Sequence, residues 1–411
     1  ILPVYANNGE LLGHAMMNKD TSIAARMINF DSTDPVSSIK LNIKRAIKYR
    51  NELFKNSNTN AYRLINGEGD NLSGLVIDKY NKTYVIQIVS TGMDTLIDVI
   101  AETLKNETEV ECIYEKSTVG ARKKEGLESS ERVLYGKLPD KVEILENGVK
   151  FLVDIAHSQK TGLFLDQREM RKLVGEYAKD RLVLNCFSYT GGFSLYAALN
   201  GAKRVVSVDI ASDAIDLSKE NFLKNGLKVN DDDFRAVDAF DYLHNEDLDF
   251  DFVILDPPAF AKKKEDIHNA RRGYLDINKT TLRKMPSNSF LLTCSCSYHM
   301  DEKMFEDIIK EAALQTGREV DIADPTQVES FLQLHPEITH IVNCAAFSQV
   351  DRAEQEREAA YRANAIGPEV LAIAAKERGI HLIHISTDYV FDGNGRSPLS
   401  EKDPVAPCNY Y

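Results

Sequence analysis

Three stretches of this sequence combine reactive or charged groups with unusual backbone. In Leu255-Asp256-Pro257-Pro258-Ala259-Phe260 a carboxylate precedes two prolines, which stiffen the chain and fix the direction of the acid. In Leu291-Leu292-Thr293-Cys294-Ser295-Cys296-Ser297 the second cysteine stands at the end of an apolar run, where a thiolate can act as a nucleophile. Cys294 shares the run and reads as a small buried hydrophobe. The third stretch, Asn185-Cys186-Phe187-Ser188-Tyr189-Thr190-Gly191-Gly192-Phe193, has paired glycines that let backbone approach a ligand where a helix begins. About 20 residues further on, Asp209 closes an apolar run and is placed to accept hydrogen bonds from ribose hydroxyls. Asp238 closes another, within reach of an adenine amino group. Each feature also has an ordinary explanation, since glycine turns, Asp-Pro-Pro turns and inert cysteines are common. The loop and two strand-end acids together read as a nucleoside site.

Those positions acquire meaning from the elements expected to hold them. Strands are predicted at Leu182–Cys186, Arg204–Asp209, Phe234–Asp238, Phe250–Asp256 and Ser289–Ser295, with helices at Ala211–Asn225 and Glu302–Gln315. Strands alternating with helices signal a largely parallel sheet, which binds ligands outside the carboxyl ends of its strands. Before it, residues 1–34 alternate as short strands around Asn7-Asn8-Gly9 and Asn18-Lys19-Asp20, part of a small β-barrel that the sequence is expected to enter midway. Residues 37–150 read as an α+β middle domain. It has an amphipathic cationic helix from Ser37 to about Asn56, strands at Ala61–Ile65, Ser73–Lys79 and Thr83–Val89, and a helix from Thr95 to Asn106. The nucleoside-binding sheet is assigned to residues 151–320 and a second α/β run to 321–411. That second run has strands at Ile338–Cys344 and Ile380–Ser386 around a helix from Ala359 to Arg378.

A length of 411 residues requires several such units. No apolar run approaches the roughly 18 to 20 residues of a membrane span, so no membrane association is expected. The six cysteines are scattered, and the close pair Cys294 and Cys296 falls in one expected strand with side chains on opposite faces, so neither a disulfide framework nor a metal site is predicted. A reducing cytoplasm fits best. The net charge of −13 argues against retention on nucleic acid by bulk charge, but local cationic runs suffice for phosphate contact. The candidates are Lys44-Arg45 with Lys48 and Arg50, Arg122-Lys123-Lys124, Lys262-Lys263-Lys264 and Arg271-Arg272.

Residues 1 to about 318 resemble the cytosine-C5 methyltransferases of large-subunit ribosomal RNA, which join a PUA domain, an α+β domain and a Rossmann-like class I methyltransferase domain. The resemblance is carried by Tyr62-Arg63-Leu64-Ile65-Asn66-Gly67-Glu68-Gly69-Asp70, Val119-Gly120-Ala121-Arg122-Lys123-Lys124-Glu125-Gly126 and Lys160-Thr161-Gly162-Leu163-Phe164-Leu165-Asp166-Gln167-Arg168. It continues through Asn185 to Gly192, Asp256-Pro257-Pro258 and Ser295-Cys296-Ser297. It implies S-adenosylmethionine as cofactor, held by Phe187, Ser188, Tyr189, Thr190, Gly191, Gly192, Asp209 and Asp238. It also implies Cys296 and Asp256 at the base-modifying centre, and large-subunit ribosomal RNA as partner. The oligomeric state stays open, a homodimer included. Cytosine C5 is too weak a nucleophile to take a methyl group unaided, so Cys296 is expected to add to C6 while Asp256 holds the base edge. Methylation of a base nitrogen is the rival chemistry. A hydride-transfer enzyme is the rival class, and a noncatalytic RNA-binding module is a third reading.

From about Asp321 a second resemblance begins, to the dTDP-4-dehydrorhamnose reductases, extended short-chain dehydrogenases. Asp321-Ile322-Ala323-Asp324-Pro325, Val342-Asn343-Cys344-Ala345-Ala346-Phe347, Asn364-Ala365-Ile366-Gly367 and His384 to Gly393 carry it. It implies that Thr387 orients a substrate carbonyl and that Tyr411 is a proton donor. The lysine that would follow Tyr411 and the glycine-rich turn that would hold a nicotinamide cofactor are missing, so a partial, inactive NADPH-dependent reductase is expected. The sheet of residues 151–320 is expected to lack its last strands, leaving an edge where the tail strands dock unless they form a small subdomain of their own. A junction of two truncated frames explains both.

Overall fold

The computed structural model describes residues 1–158, 160–261 and 263–320, and in the tail residues 338–343, 353–355, 357–386, 391 and 406. It divides into two compact units, Ile1–Arg318 and Glu319–Tyr411.

The first unit opens with β1 (Leu2–Tyr5), β2 (Leu11–Met17) and β3 (Ala25–Asn29), an antiparallel sheet turning at the expected segments Asn7-Asn8-Gly9 and Asn18-Lys19-Asp20. Helix α1 (Pro35–Leu53) starts at Asp34, whose carboxylate accepts the Ser37 amide at 2.8 Å, with proline in the first turn. Its apolar stripe of Ile39, Ile43 and Ile47 packs on a five-stranded sheet. That sheet comprises β4 (Ala61–Asn66), β5 (Leu75–Tyr80), β6 (Thr83–Ile88), β7 (Cys112–Ser117) and β8 (Ser130–Gly136), in chain order. The parallel pair β6–β7 is bridged by α2 (Thr91–Asp94) and α3 (Ile97–Glu107), and α4 (Ala121–Lys124) precedes β8.

A hairpin of β9 (Val142–Glu146) and β10 (Val149–Val153) follows, turning on Asn147 and Gly148, both with positive φ. It straddles the expected boundary at residue 150. Its inward residues Ile144 and Phe151 share a core with Tyr80 and Val85 of the middle sheet and with Leu195, Ile215 and Phe222 of the helices beyond. The hairpin thus joins the two sheets through one core.

The last sheet of this unit has the order β13-β12-β11-β14-β15 and is parallel throughout. Its strands are β11 (Leu182–Cys186), β12 (Arg204–Asp209), β13 (Phe234–Ala236), β14 (Phe252–Leu255) and β15 (Phe290–Thr293). The intervening helices are α5 (Arg168–Tyr177), α6 (Gly192–Leu199), α7 (Ser212–Lys224), α8 (Ala239–Asn245) and α9 (Ile267–Lys284), and α10 (Glu302–Thr316) packs against α9. The apolar run of β14 and the largely apolar β11, which also carries the buried Asn185, are buried on both faces, as a parallel sheet requires.

Two strands end two residues before expectation. β13 stops at Ala236, because Asp238 instead caps α8, accepting the amides of Phe240 at 2.8 Å and Asp241 at 3.2 Å. β15 stops at Thr293, so Cys294 and Cys296 lie in the following loop and strand alternation does not describe them.

In the second unit, β16 (His340–Asn343) and β17 (His381–His384) pair in parallel as a two-stranded sheet of their own. The helix expected from Ala359 to Arg378 is divided into α11 (Arg357–Tyr361), a π turn at Arg362–Ile366 and α12 (Gly367–Arg378). Pro368 has no amide hydrogen to continue the ladder, which accounts for the break. Asp321–Pro325, Cys344–Phe347, Thr387, Cys408, Tyr411 and Lys262 lie outside the described residues. No helix among the described residues is long and apolar enough to cross a membrane.

Candidate functional site

The parallel register sets the geometry. Cys186 is level with Val208 on one side and Leu255 on the other, and Leu255 is level with Thr293. The segments that follow, Phe187–Gly191, Asp209, Asp256 and Cys294–Ser297, therefore emerge along one edge of the sheet, at the point where strand order reverses about β11.

The loop after β11 is tightly wound. Phe187, Tyr189 and Gly191 all have positive φ, at 59°, 48° and 76°. A Cβ on Gly191 would collide with Ser218 Oγ of α7, so this position requires glycine on two counts. Asp209 holds the loop from the neighbouring strand, its Oδ2 accepting the Tyr189 amide at 2.8 Å and its Oδ1 the Ala211 amide at 2.9 Å. Each oxygen retains a lone pair for a hydroxyl. The Ser188 Oγ is buried without a partner among the described residues, and α6 begins at Gly191 with none of their side chains capping its amides. A contorted backbone, an orphaned hydroxyl, an uncapped helix start and a strand-end acid fit a nucleoside bearing an amino-acid tail, as S-adenosylmethionine does. Asp238 stands two residues beyond the end of β13, its Oδ1 committed to capping α8.

Asp256 follows β14 and is half-buried. Burial, then the negative charge of Asp166, push its carboxyl above the usual range, while Lys160 and Arg171 oppose the shift. Cys296 is solvent-exposed, and its Sγ lies 3.5 Å from the Pro257 carbonyl, in donor geometry. Its thiol is also raised, by burial and by Asp256, and Lys160 opposes this. Cys294 is half-buried, its amide bonded to the Leu255 carbonyl at 2.8 Å, and burial pushes its thiol up to about 12. The two cysteines thus differ in access, and the exposed one faces the Asp-Pro-Pro loop.

Sequence motifs did not assign a role to the segment Lys160–Asp166, which supplies charge to this centre. Lys160 Nζ lies 3.4 Å from Asp166 and 4.3 Å from the centre of the Phe164 ring. The segment is latched on both sides. Thr161 Oγ1 donates to Asp78 at 2.6 Å and pairs with Tyr80 Oη at 3.0 Å, while Tyr189 Oη donates to the Gly162 carbonyl at 3.3 Å. Beneath Gly192, Arg171 makes a buried two-pronged pair with Glu146 at 2.7 and 2.6 Å.

Of the cationic runs, some members are structural. Arg122 is buried, bonded to Asp94 and the Ile88 carbonyl at 2.9 Å, and Arg50 is paired with Asp70. Arg45, Lys48, Lys123, Lys124 and Arg272 stay exposed. A cleft of about 540 Å³ on the middle sheet is lined by Tyr62, Lys79, Lys82 and Tyr84, with Lys79 Nζ 5.2 Å from the centre of the Tyr62 ring.

Residues 118–314 match the S-adenosylmethionine-dependent methyltransferase family model, and residues 298–411 match the RmlD substrate binding domain. The ribosomal RNA large subunit methyltransferase I of Aeromonas salmonicida is 40% identical over 327 residues, covering 78% of this chain and 83% of that protein. Its counterpart in Vibrio cholerae is 42% identical over 327 residues, covering 77% and 82%. Among solved structures, a methyltransferase complexed with SAH superposes with a TM-score of 0.63 at 26% identity, covering 75% of this chain and 81% of that one. A SAM-dependent methyltransferase from Streptococcus mutans gives 0.62 at 27%, covering 76% and 81%.

Proposed function

The chain belongs to the S-adenosylmethionine-dependent ribosomal RNA large subunit methyltransferases, and from that premise we propose that it methylates C5 of a cytosine in that RNA through a covalent adduct on Cys296. The observation that carries this reading is the exposed Cys296 thiol standing beside the Asp256-Pro257-Pro258 loop at the same sheet edge as the donor loop.

Phe187 to Gly192, Asp209 and Asp238 would hold the cofactor, whose bound sulfonium supplies an electrophilic methyl group. Cys296 Sγ bonds to C6, and the electron pair of the C5–C6 double bond moves to C5, making it nucleophilic enough to take the methyl group. Transfer of the C5 proton to water then restores the double bond as the Sγ–C6 bond breaks and the electron pair leaves on sulfur as the thiolate. Asp256, with its raised proton affinity, holds the base edge and shares a proton at N3 as charge develops there. The base must leave its stack to reach this pocket, which favours an unpaired or flipped nucleotide.

Methylation of a base nitrogen would call for an aromatic platform directly after Asp-Pro-Pro. Here Ala259 intervenes, and the Phe260 ring packs against Phe240 at 5.8 Å and Tyr274 at 4.6 Å. We read β1–β3 as part of a PUA-like barrel and the middle sheet with the exposed face of α1 as RNA-contacting, and the tail as reductase-like.

The test is methyl transfer to large-subunit ribosomal RNA, followed by mass spectrometry of the nucleosides. Cys296→Ala should abolish product while donor binding stays within about twofold, Cys294→Ala should be mild, and RNA containing 5-fluorocytosine should become covalently attached to the wild type. Product on a ring or exocyclic nitrogen, or full activity without Cys296, rejects the C5 mechanism.

A further inference from the structure

The two loops that carry Asp256 and Cys296 meet at one buried hydroxyl that no motif singled out. Tyr274, on α9, is fully buried. Ser295 Oγ donates to its Oη at 3.1 Å, and its Oη lies 2.9 Å from Ser297 Oγ. Ser297 Oγ also accepts the amide of Ala261, at the end of the Asp-Pro-Pro loop, at 3.0 Å, and the Ser297 amide points back to Ser295 Oγ at 3.4 Å. A consistent assignment runs Ser295 to Tyr274 to Ser297, with the Ala261 amide entering at Ser297. Cys296 sits between the two serines, at the crest of this closed ring. Its own side chain is exposed while the residues on either side are tied down. The Tyr274 ring also packs on Phe260 of the same Asp-Pro-Pro loop and, edge-on at 5.3 Å, on Phe305 of α10.

The geometry points to Tyr274 as the positioning residue for the nucleophile, with its hydroxyl setting the separation and aim of the Cys296 thiol relative to Asp256. This rests on the Cys296 mechanism proposed above. The reason for such a device is physical. Cys296 lies beyond the last residue of β15, with no sheet ladder to fix its backbone, and a nucleophile displaced by about 1 Å loses on the order of 10²-fold in rate. Cysteine offers little hydrogen bonding of its own, so its neighbours supply the restraint. Serine on both sides, with one tyrosine hydroxyl between them, restrains the backbone without touching the thiol.

The experiment compares wild type with Tyr274→Phe, which keeps the ring and its packing, and with the Ser295→Ala/Ser297→Ala double variant, which keeps Tyr274 and removes its partners. Donor affinity is read by calorimetry, kcat and KM by methylation of large-subunit ribosomal RNA, and attachment by the rate of covalent trapping on 5-fluorocytosine RNA. Both variants should bind donor and RNA within about twofold of wild type and lose between about 10-fold and 10²-fold in kcat and trapping rate together. Trapping at the wild-type rate in either variant overturns the role of Tyr274 while leaving the Cys296 mechanism standing. Should Tyr274→Phe fail to fold, the serine variant decides alone. Absence of trapping in the wild type, or activity retained in Cys296→Ala, removes the mechanism and this assignment with it.

Discussion

At the scale of the residue, charge and burial set opposing demands on the centre. The folded protein holds Asp256 with a raised carboxyl pKa, so that its contribution to stability is fully present below the ordinary value of 3.8 and is lost as pH rises through the folded value. At neutral pH the carboxylate is a half-buried charge with another acid, Asp166, close by. Asp256→Asn should therefore raise the melting temperature at pH 7, with the gain fading as pH falls through the raised folded value and absent below about pH 4, even as methyl transfer falls; an unchanged melting temperature at pH 7 would show that the burial penalty is already relieved. The same substitution removes a negative charge that disfavours the Cys296 thiolate. The pH profile of Cys296 alkylation should shift to lower pH in the variant and to higher pH in Lys160→Ala. On the donor side, Asp209→Ala removes two loop-holding bonds as well as the expected ribose acceptor. At about 1.5 to 3 kcal/mol for a hydrogen bond to a charged group, donor affinity measured by calorimetry should fall at least 10-fold. The place of Asp209 at the end of β12 was legible because acids that close apolar runs stand out in a parallel sheet, whereas the loop position of Cys296, three residues past the end of β15, was not. Tyr274 was not, since its partners lie 21 and 23 residues away and a tyrosine in a helix looks like core.

At the scale of the element, the hairpin β9–β10 illustrates what pattern alone misses. The five parallel strands could be placed from their apolar runs, but β7 could not, although its residues are buried from end to end. It carries Glu115 and Lys116, and these charges are accommodated by partners far along the chain. Arg132 and Ser130 donate to Glu115 at 2.8 and 2.9 Å, and Lys116 caps the carbonyls of Ile155 and Ser158 at 2.6 and 2.7 Å. A strand that buries charged side chains against partners from other segments shows no alternation to read, even though Glu115 Oε1 has no hydrogen-bond partner among the described residues. The hairpin is tied down in the same way, through Glu146 and Arg171, whose side chains are 0% and 3% exposed. Removing one member of a buried pair strands the other charge, at about 3 to 5 kcal/mol. Arg171→Leu should therefore lower the urea midpoint by that equivalent without altering its slope, and should weaken donor binding, because the guanidinium lies under Gly192. A loss below about 1 kcal/mol would mean that the pair contributes little to holding the hairpin against α5.

At the scale of the whole molecule, the two units differ in how completely they can do chemistry. The first brings donor loop, acid and thiol to one sheet edge. The second, among its described residues, contributes two paired strands and the helices α11 and α12, with Val342 and Ile383 about half exposed. Hydride transfer from a dinucleotide needs a pyrophosphate held at a helix start by a glycine-rich turn. Residues 319–411 contain Gly367, Gly379, Gly393 and Gly395, and none of these completes a Gly-x-x-Gly-x-x-Gly spacing. Of these, Gly379 has positive φ and sits just past the end of α12, where a glycine stops a helix instead of holding a phosphate. The full chain incubated with NADPH and dTDP-4-dehydrorhamnose should therefore leave the reduced nicotinamide absorbance flat, while the same preparation methylates ribosomal RNA. Saturable oxidation that disappears in Thr387→Ala would show that the second unit builds a nicotinamide site from groups other than a glycine-rich turn.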